Sequence, residues 1–95
     1  MTYVLLVDDD REMLLALSEG LKRWADSFAV VTAEGGAAAL EQLRSREIAL
    51  VVTDLKMPGM DGFELLAAIM QSYPDIPVIV MTGFSTPGRE RLARQ

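Results

Sequence analysis

The chain alternates short aliphatic runs with segments whose apolar residues recur at helical spacing. The aliphatic or β-branched runs cover residues 3–7, 28–32, 48–53 and 77–82, and continuous runs of this kind are typical of buried parallel strands. The intervening segments have apolar residues three or four positions apart, which predicts helices over 11–24, after Gly35-Gly36 and after Gly62. Strands that alternate with such helices form right-handed βαβ units. The pattern therefore predicts an α/β domain built on a parallel sheet.

Capping signals mark the starts of three of the predicted helices. Asp10 is placed to cap the first helix, and Asp61 with Glu64 forms the D-x-x-E version of a capping box before the third. Thr86 and Pro87 precede a short fourth segment over 88–94. The residues expected to face the sheet are Leu14, Leu17, Leu21 and Trp24 in the first helix, Ala37, Leu40 and Leu43 in the second, and Phe63, Leu66, Ile69 and Met70 in the third.

Composition narrows the classes of function. The 95 residues predict one domain over 1–95. The chain has no cysteine and no histidine, which excludes thiolate chemistry, serine–histidine triads and the usual zinc ligands. The net charge is −5 and no basic stripe is present, so we expect no direct binding to nucleic acid. No apolar run reaches about 18 residues, and we expect a cytoplasmic protein that does not enter a membrane.

Two of the aliphatic runs end in aspartate. Asp8, Asp9 and Asp10 follow the first run, and Asp54 follows the third. Strand exits and helix caps often use aspartate, but one cap explains only one carboxylate of the first group. In open α/β sheets ligands bind beyond the carboxyl ends of the strands. Carboxylates that converge there repel one another unless a cation or a proton relieves the charge. The pattern therefore favours a Mg²⁺-type site that handles phosphate.

Four short elements of the sequence, taken together, resemble the motifs of a known domain family. They are the acidic run after the first strand, Asp54 after the third, the loop Met57-Pro58-x-Met60-Asp61-Gly62, and Thr82-Gly83 after the fourth. In combination they resemble the receiver domain of bacterial two-component response regulators. The resemblance implies a flavodoxin-like, doubly wound parallel sheet in a three-layer α/β/α arrangement, with strand order 2-1-3-4 and the fifth strand absent.

The resemblance also implies a role for each matching position. Asp54 corresponds to the phosphoacceptor, which takes a phosphoryl group from a sensor histidine kinase or a phosphotransfer protein. Asp8, Asp9 and Asp54, with the backbone carbonyl of Lys56, correspond to the ligands of Mg²⁺ or Mn²⁺. Thr82 corresponds to the switch hydroxyl that hydrogen-bonds the phosphoryl oxygen.

Receiver domains also have a fifth strand that ends in lysine and a final helix, and no part of this sequence matches them. We therefore expect a C-terminally incomplete receiver domain over 1–95, with a possible output domain downstream. The strand over 77–82 would then be an edge that can pair with another chain, and the first helix would expose the apolar face around Leu14, Leu17 and Leu21. A homodimer is the expected assembly.

Two other functions remain open from the sequence. One is a receiver-like interaction module that is not phosphorylated, because a fold does not fix a function. The other is a phosphohydrolase of the haloacid dehalogenase type, which the spacing Asp8-x-Asp10 and a later Thr82 also resemble. In that family the first aspartate is the nucleophile and the second is a general acid, which leaves Asp54 without a role.

Overall fold

The structure is a computed structural model and describes residues 2–24, 26–54 and 62–81. These residues form four strands, three α-helices and one short 3-10 turn. In chain order these are β1 (Tyr3–Val7), α1 (Arg11–Leu21), the 3-10 turn (Lys22–Trp24), β2 (Ala29–Ala33), α2 (Gly36–Ser45), β3 (Ile48–Asp54), α3 (Gly62–Ser72) and β4 (Val78–Met81). All four predicted strands are present, and each begins within one residue of its predicted start.

The strands form one parallel sheet in the order β2-β1-β3-β4. β1 lies between two neighbours, so that Leu5 pairs with Val31 on one side and with Val51 on the other. The predicted flavodoxin-like class and the order 2-1-3-4 are thereby confirmed, and the described residues contain no fifth strand. A register shift between Tyr3 and Val4 places a bulge near the amino ends of β1 and β3, away from the edge where the strands end.

Helices cover both faces of the sheet, because alternate residues of each strand point to opposite sides. Leu5 and Val7 of β1 belong to a buried cluster on the face that α2 and α3 cover. Val4 and Leu6 point to the other face, where they pack against Leu14 of α1. The helix residues of the first cluster are Ala39, Leu43, Leu65 and Ile69. The sheet is therefore the middle of three layers, as predicted.

The inward faces of α2 and α3 differ from the sequence prediction. Ala37 is exposed, whereas Ala39 is fully buried. Phe63 and Met70 are 66% and 65% exposed, whereas Leu65 is fully buried. These predictions were wrong because apolar residues occur on more than one side of both helices, so spacing alone does not select the face that meets the sheet.

The predicted exposed apolar face of α1 is also wrong. Leu14 is 3% exposed, and Leu17 and Leu21 are partly buried against the same cluster as Val4 and Leu6. The reason is that this face of α1 already rests on the sheet, so it offers little free apolar surface.

Among the described residues, no helix combines the length and the apolar character that crossing a membrane requires. The predicted short helix over 88–94 and the loop over 57–61 lie outside the described residues.

Candidate functional site

Three carboxylates converge where β1 and β3 end. The two strands are neighbours, and Val7 pairs with Thr53, so Asp8 and Asp54 follow paired positions. One carboxylate oxygen from each of Asp8, Asp9 and Asp54 lies within 4.8 Å of the others. The convergence expected from the two aliphatic runs is therefore present in the structure.

Backbone hydrogen bonds fix the exit of β1. The N–H of Asp8 donates to the carbonyl of Ala33 at 3.1 Å, which continues the pairing of β1 with β2 beyond Val7. The N–H of Asp10 donates to Oδ1 of Asp8 at 3.0 Å. The backbone of Asp8 is therefore held by β2, and its side chain is held by the N–H of Asp10.

Asp10 has a different role from its two neighbours. Its Oδ1 accepts hydrogen bonds from the N–H groups of Glu12 and Met13, at 3.0 and 3.3 Å. These N–H groups belong to the first turn of α1 and have no partner within the helix, so Asp10 is the N-cap that the sequence predicted. The helix cap accounts for Asp10 and leaves Asp8 and Asp9 available to the cluster.

The three carboxylates of the cluster differ in their access to water. Asp8 is 5% exposed, Asp54 is partly buried and Asp9 is exposed. Burial of Asp8 raises the pKa of its carboxyl above the ordinary 3.8, and a hydrogen bond with Asp9 and the negative charges of Asp54 and Asp9 raise it further. The N–H of Asp10 acts in the opposite direction and lowers this pKa. The ionised form of Asp8 is therefore less favourable in the folded chain than in the unfolded chain.

The raised pKa of Asp8 predicts that Asp8→Asn stabilises the metal-free chain at neutral pH. The folded state holds the proton of Asp8 more tightly than the unfolded state does. The protonated carboxyl therefore makes its full contribution to the free energy of unfolding below pH 3.8, and this contribution is lost as the pH rises through the pKa of the folded state. Asparagine keeps the Oδ1 that accepts from Asp10 and removes the charge. In EDTA, the melting temperature of Asp8→Asn should exceed that of the wild type at neutral pH, and the difference should shrink as the pH is lowered.

The matched control for this prediction is Glu47→Gln, which removes one exposed negative charge directly before β3. Glu47→Gln should not show the pH-dependent rise in melting temperature that is expected of Asp8→Asn. An Asp8→Asn chain that melts below the wild type at neutral pH without metal would show that the carboxylate stabilises the fold.

The donor set fits a hard divalent cation. It consists of carboxylate oxygens only, and Mg²⁺ is bound in proteins by a few carboxylates together with water and phosphate oxygens. A cation among Asp8, Asp9 and Asp54 would also offset the burial and the neighbouring negative charges that raise the pKa of Asp8. The observation that supports a metal is thus the convergence of three carboxylates, of which Asp8 is buried and Asp54 is partly buried.

Two predicted site residues lie outside the described residues. These are Lys56, whose backbone carbonyl was expected to bind the metal, and Thr82, expected to supply the switch hydroxyl. The structure does bring one further charged pair to the same edge of the sheet. Arg11 opens α1 and forms an ion pair with Glu34, which follows β2. Sequence reasoning missed this pair. The only signal was an acidic residue directly after β2 and a basic residue at the start of the helix that follows β1, a strand predicted to be adjacent to β2.

Comparison with known proteins identifies the same family along most of the chain. The model of the response regulator receiver domain matches residues 4–93. The transcriptional regulatory protein GlrR of Escherichia coli K12 is 44% identical over 80 residues, which cover 84% of this chain and 18% of GlrR. The response regulator protein FleR of Pseudomonas aeruginosa is 42% identical over 86 residues, covering 90% of this chain and 18% of FleR. The chain thus spans less than a fifth of these relatives.

Solved structures of similar sequence share the fold. The response regulator TrrA of Thermotoga maritima, crystallised in complex with Mg²⁺–BeF, superposes with a TM-score of 0.80 at 33% identity, covering 90% of this chain and 72% of TrrA. The signal receiver domain of an HD domain-containing protein from Pseudomonas fluorescens gives a TM-score of 0.82 at 34% identity, covering 97% of this chain and 72% of that one.

Proposed function

We propose that this chain, which belongs to the response regulator receiver domain family, accepts a phosphoryl group on Asp54 in a Mg²⁺-dependent signalling reaction. The observation that carries the proposal is the convergence of Asp8, Asp9 and Asp54, with carboxylate oxygens within 4.8 Å of one another. A carboxylate at the end of a strand, beside two others that can hold a cation, has the composition needed for phosphoryl transfer.

Each residue of the site has a distinct part in this proposal. An oxygen of Asp54 is the nucleophile that attacks the phosphorus of the donor. The side chains of Asp8, Asp9 and Asp54, with the backbone carbonyl of Lys56, would hold Mg²⁺ or Mn²⁺. When bound, the cation supplies positive charge that stabilises the transferring phosphoryl group. Thr82 is proposed as the hydroxyl that binds the phosphoryl oxygen after transfer.

The partners follow from the family. A sensor histidine kinase or a phosphotransfer protein is the proposed donor of the phosphoryl group, and a downstream output domain is the proposed receiver of the signal. GlrR and FleR, which this chain matches over 18% of their length, are named as a transcriptional regulatory protein and a response regulator protein. For the whole protein we therefore propose a kinase partner, an output domain and a cytoplasmic location.

The proposed function is tested by incubating the chain with acetyl phosphate and Mg²⁺ and measuring the intact mass. Uptake of one phosphoryl group is expected, and it should stop when EDTA is added. A chain that never gains this mass with Mg²⁺ present would favour an interaction module that is not phosphorylated. Continuous release of phosphate from a simple aryl phosphate would instead indicate hydrolase activity.

Self-association is the assembly that we propose for the 95-residue chain. β4 has β3 as its only strand neighbour among the described residues. Ile79 is 52% exposed and Val80 is 36% exposed, and because they are adjacent in a strand they lie on opposite faces of the sheet. An apolar edge strand of this kind pairs with another strand, and two copies of β4 related by a two-fold axis would satisfy each other's free edge.

Replacing Ile79 with lysine tests this assembly, because a charge on an edge strand opposes pairing. Sedimentation equilibrium at micromolar concentration should show a dimer for the wild type and a shift to monomer for Ile79→Lys. The control is Leu15→Lys, since Leu15 is 60% exposed on α1, away from β4. A wild-type chain that sediments as a single 10.4 kDa species would contradict the proposal.

A further inference from the structure

The ion pair between Arg11 and Glu34 lies at the same edge of the sheet as the acidic cluster. Arg11 is the first residue of α1, three positions after Asp8, and Glu34 directly follows β2. The hydrogen bond from the N–H of Asp8 to the carbonyl of Ala33 ties these two strand exits together. Arg11 donates from Nε to Oε1 of Glu34 at 3.3 Å and from Nη2 to Oε2 at 3.4 Å. The guanidinium therefore presents its two-pronged face to a carboxylate at the edge where Asp8 and Asp54 lie.

Arg11 is distinguished by its position from the other described cations. In a sheet of βαβ units the helices run back against the strands, so the start of α1 lies at the carboxyl edge of the sheet. Lys22 and Arg23 follow the end of α1, and Arg44 and Arg46 lie at the end of α2, which places all four at the opposite edge. Within residues 2–24, 26–54 and 62–81, Arg11 is thus the one cation at the edge that carries the acidic cluster.

The same edge is strongly negative. Asp8, Asp9 and Asp54 form the cluster, and Glu34 adds a further carboxylate. A phosphodonor is itself an anion with nearly two negative charges, so its approach to this edge is opposed by repulsion. A guanidinium fits phosphate oxygens with the same fork geometry with which it fits a carboxylate. The side chains of Arg11 and Glu34 are 76% and 53% exposed, and an exposed pair of this kind is weak enough to exchange partners.

We propose that Arg11 binds the phosphate of the incoming phosphodonor and that Glu34 limits this binding by competing for the same guanidinium. The proposal rests on the proposed role of Asp54 as phosphoacceptor. In the transfer from acetyl phosphate, an Asp54 oxygen forms a bond to phosphorus, the bond from phosphorus to the acyl oxygen breaks, and acetate leaves with the electron pair. Arg11 keeps its proton throughout and contributes charge and orientation. Glu34 is a positioning residue that acts through Arg11.

The test compares rates of phosphorylation by acetyl phosphate at saturating Mg²⁺, with intact mass as the readout. At low ionic strength Arg11→Gln should lower the rate about threefold to tenfold, mainly through a higher apparent KM for acetyl phosphate. The deficit should shrink at about 0.5 M salt, where charges are screened. Arg11→Lys should recover part of the rate. Glu34→Gln should raise the rate about twofold to fivefold, and most of this gain should be absent from the double variant.

The pair Arg44–Glu41 supplies the matched control, because it is also an exposed pair between arginine and glutamate and lies at the opposite edge. Arg44→Gln and Glu41→Gln should leave the rate and the KM unchanged. If Arg11→Gln is phosphorylated with the KM and salt dependence of the wild type, this proposal is wrong while the role of Asp54 stands. If the wild type takes up no phosphoryl group at all, the role of Asp54 and this proposal both fall.

Discussion

An Asp54→Asn chain is expected to take up no phosphoryl group from acetyl phosphate, a loss of at least about a hundredfold in rate. The amide of asparagine has nearly the shape of the carboxylate but lacks the anionic oxygen that attacks phosphorus. Asp54 ends β3, next to the end of β1, and lies within 4.8 Å of oxygens from Asp8 and Asp9. Among the described carboxylates, Asp54 is the one that ends β3 and also has an oxygen close to those of Asp8 and Asp9.

The control for this variant is Asp75→Asn, which removes an exposed carboxylate in the turn before β4, at the opposite edge of the sheet. It should be phosphorylated at the wild-type rate. Both variants should unfold cooperatively by circular dichroism, which separates a chemical loss from a loss of the fold. Phosphorylation of Asp54→Asn at the wild-type rate would place the nucleophile elsewhere.

The second large effect expected is the stabilisation of the chain by Mg²⁺ and its loss in Asp9→Asn. A ligand that binds only the folded state at ten times its Kd adds about 1.4 kcal/mol to the free energy of unfolding. For a domain of this size that corresponds to a rise of about 5 to 10 °C in melting temperature. Asp9 is exposed, so replacing it removes a proposed metal ligand without disturbing buried packing.

Differential scanning fluorimetry with increasing Mg²⁺ measures this effect without any phosphodonor. Asp75→Asn should keep the full rise in melting temperature, and Asp9→Asn should lose most of it. If millimolar Mg²⁺ leaves the wild type unchanged, or shifts Asp9→Asn equally, then the cation does not bind at this cluster.

The sheet and the acidic cluster could be predicted from the sequence because both depend on simple regularities. Buried parallel strands are aliphatic on both sides, so β1 and β3 are visible as uninterrupted runs that end in Asp8 and Asp54. Ligand-binding residues of such sheets follow the strands at their carboxyl ends. The prediction that the two strands are neighbours came from the family resemblance, and the pairing of Val7 with Thr53 confirmed it.

The faces of the helices could not be predicted from spacing alone. In α3 the apolar residues Phe63, Leu65, Leu66, Ile69 and Met70 surround much of the helix. Which of them meet the sheet depends on how the helix is rotated against β3, and the structure selects Leu65 and Ile69. The rotation is set by packing across the layers, which a pattern along one helix does not contain.

The pair Arg11–Glu34 was not predicted from the sequence, for a related reason. The two residues are 23 positions apart, and each is an ordinary surface charge in its own segment. They meet because β1 and β2 are adjacent and in register through Val7 and Ala33. Contacts between loops that follow neighbouring strands require both the strand order and the register, so they emerge only from the folded structure.

The most direct test of the central claim is to identify the residue that carries the phosphoryl group. The wild-type chain is incubated with acetyl phosphate and Mg²⁺, the acyl phosphate is reduced with borohydride, and the modified peptide is sequenced by mass spectrometry. Reduction converts a phosphorylated aspartate to homoserine, so the site is marked permanently. We expect homoserine at position 54 and at no other aspartate; homoserine at position 8, 9 or 10 with position 54 unmodified would contradict the account.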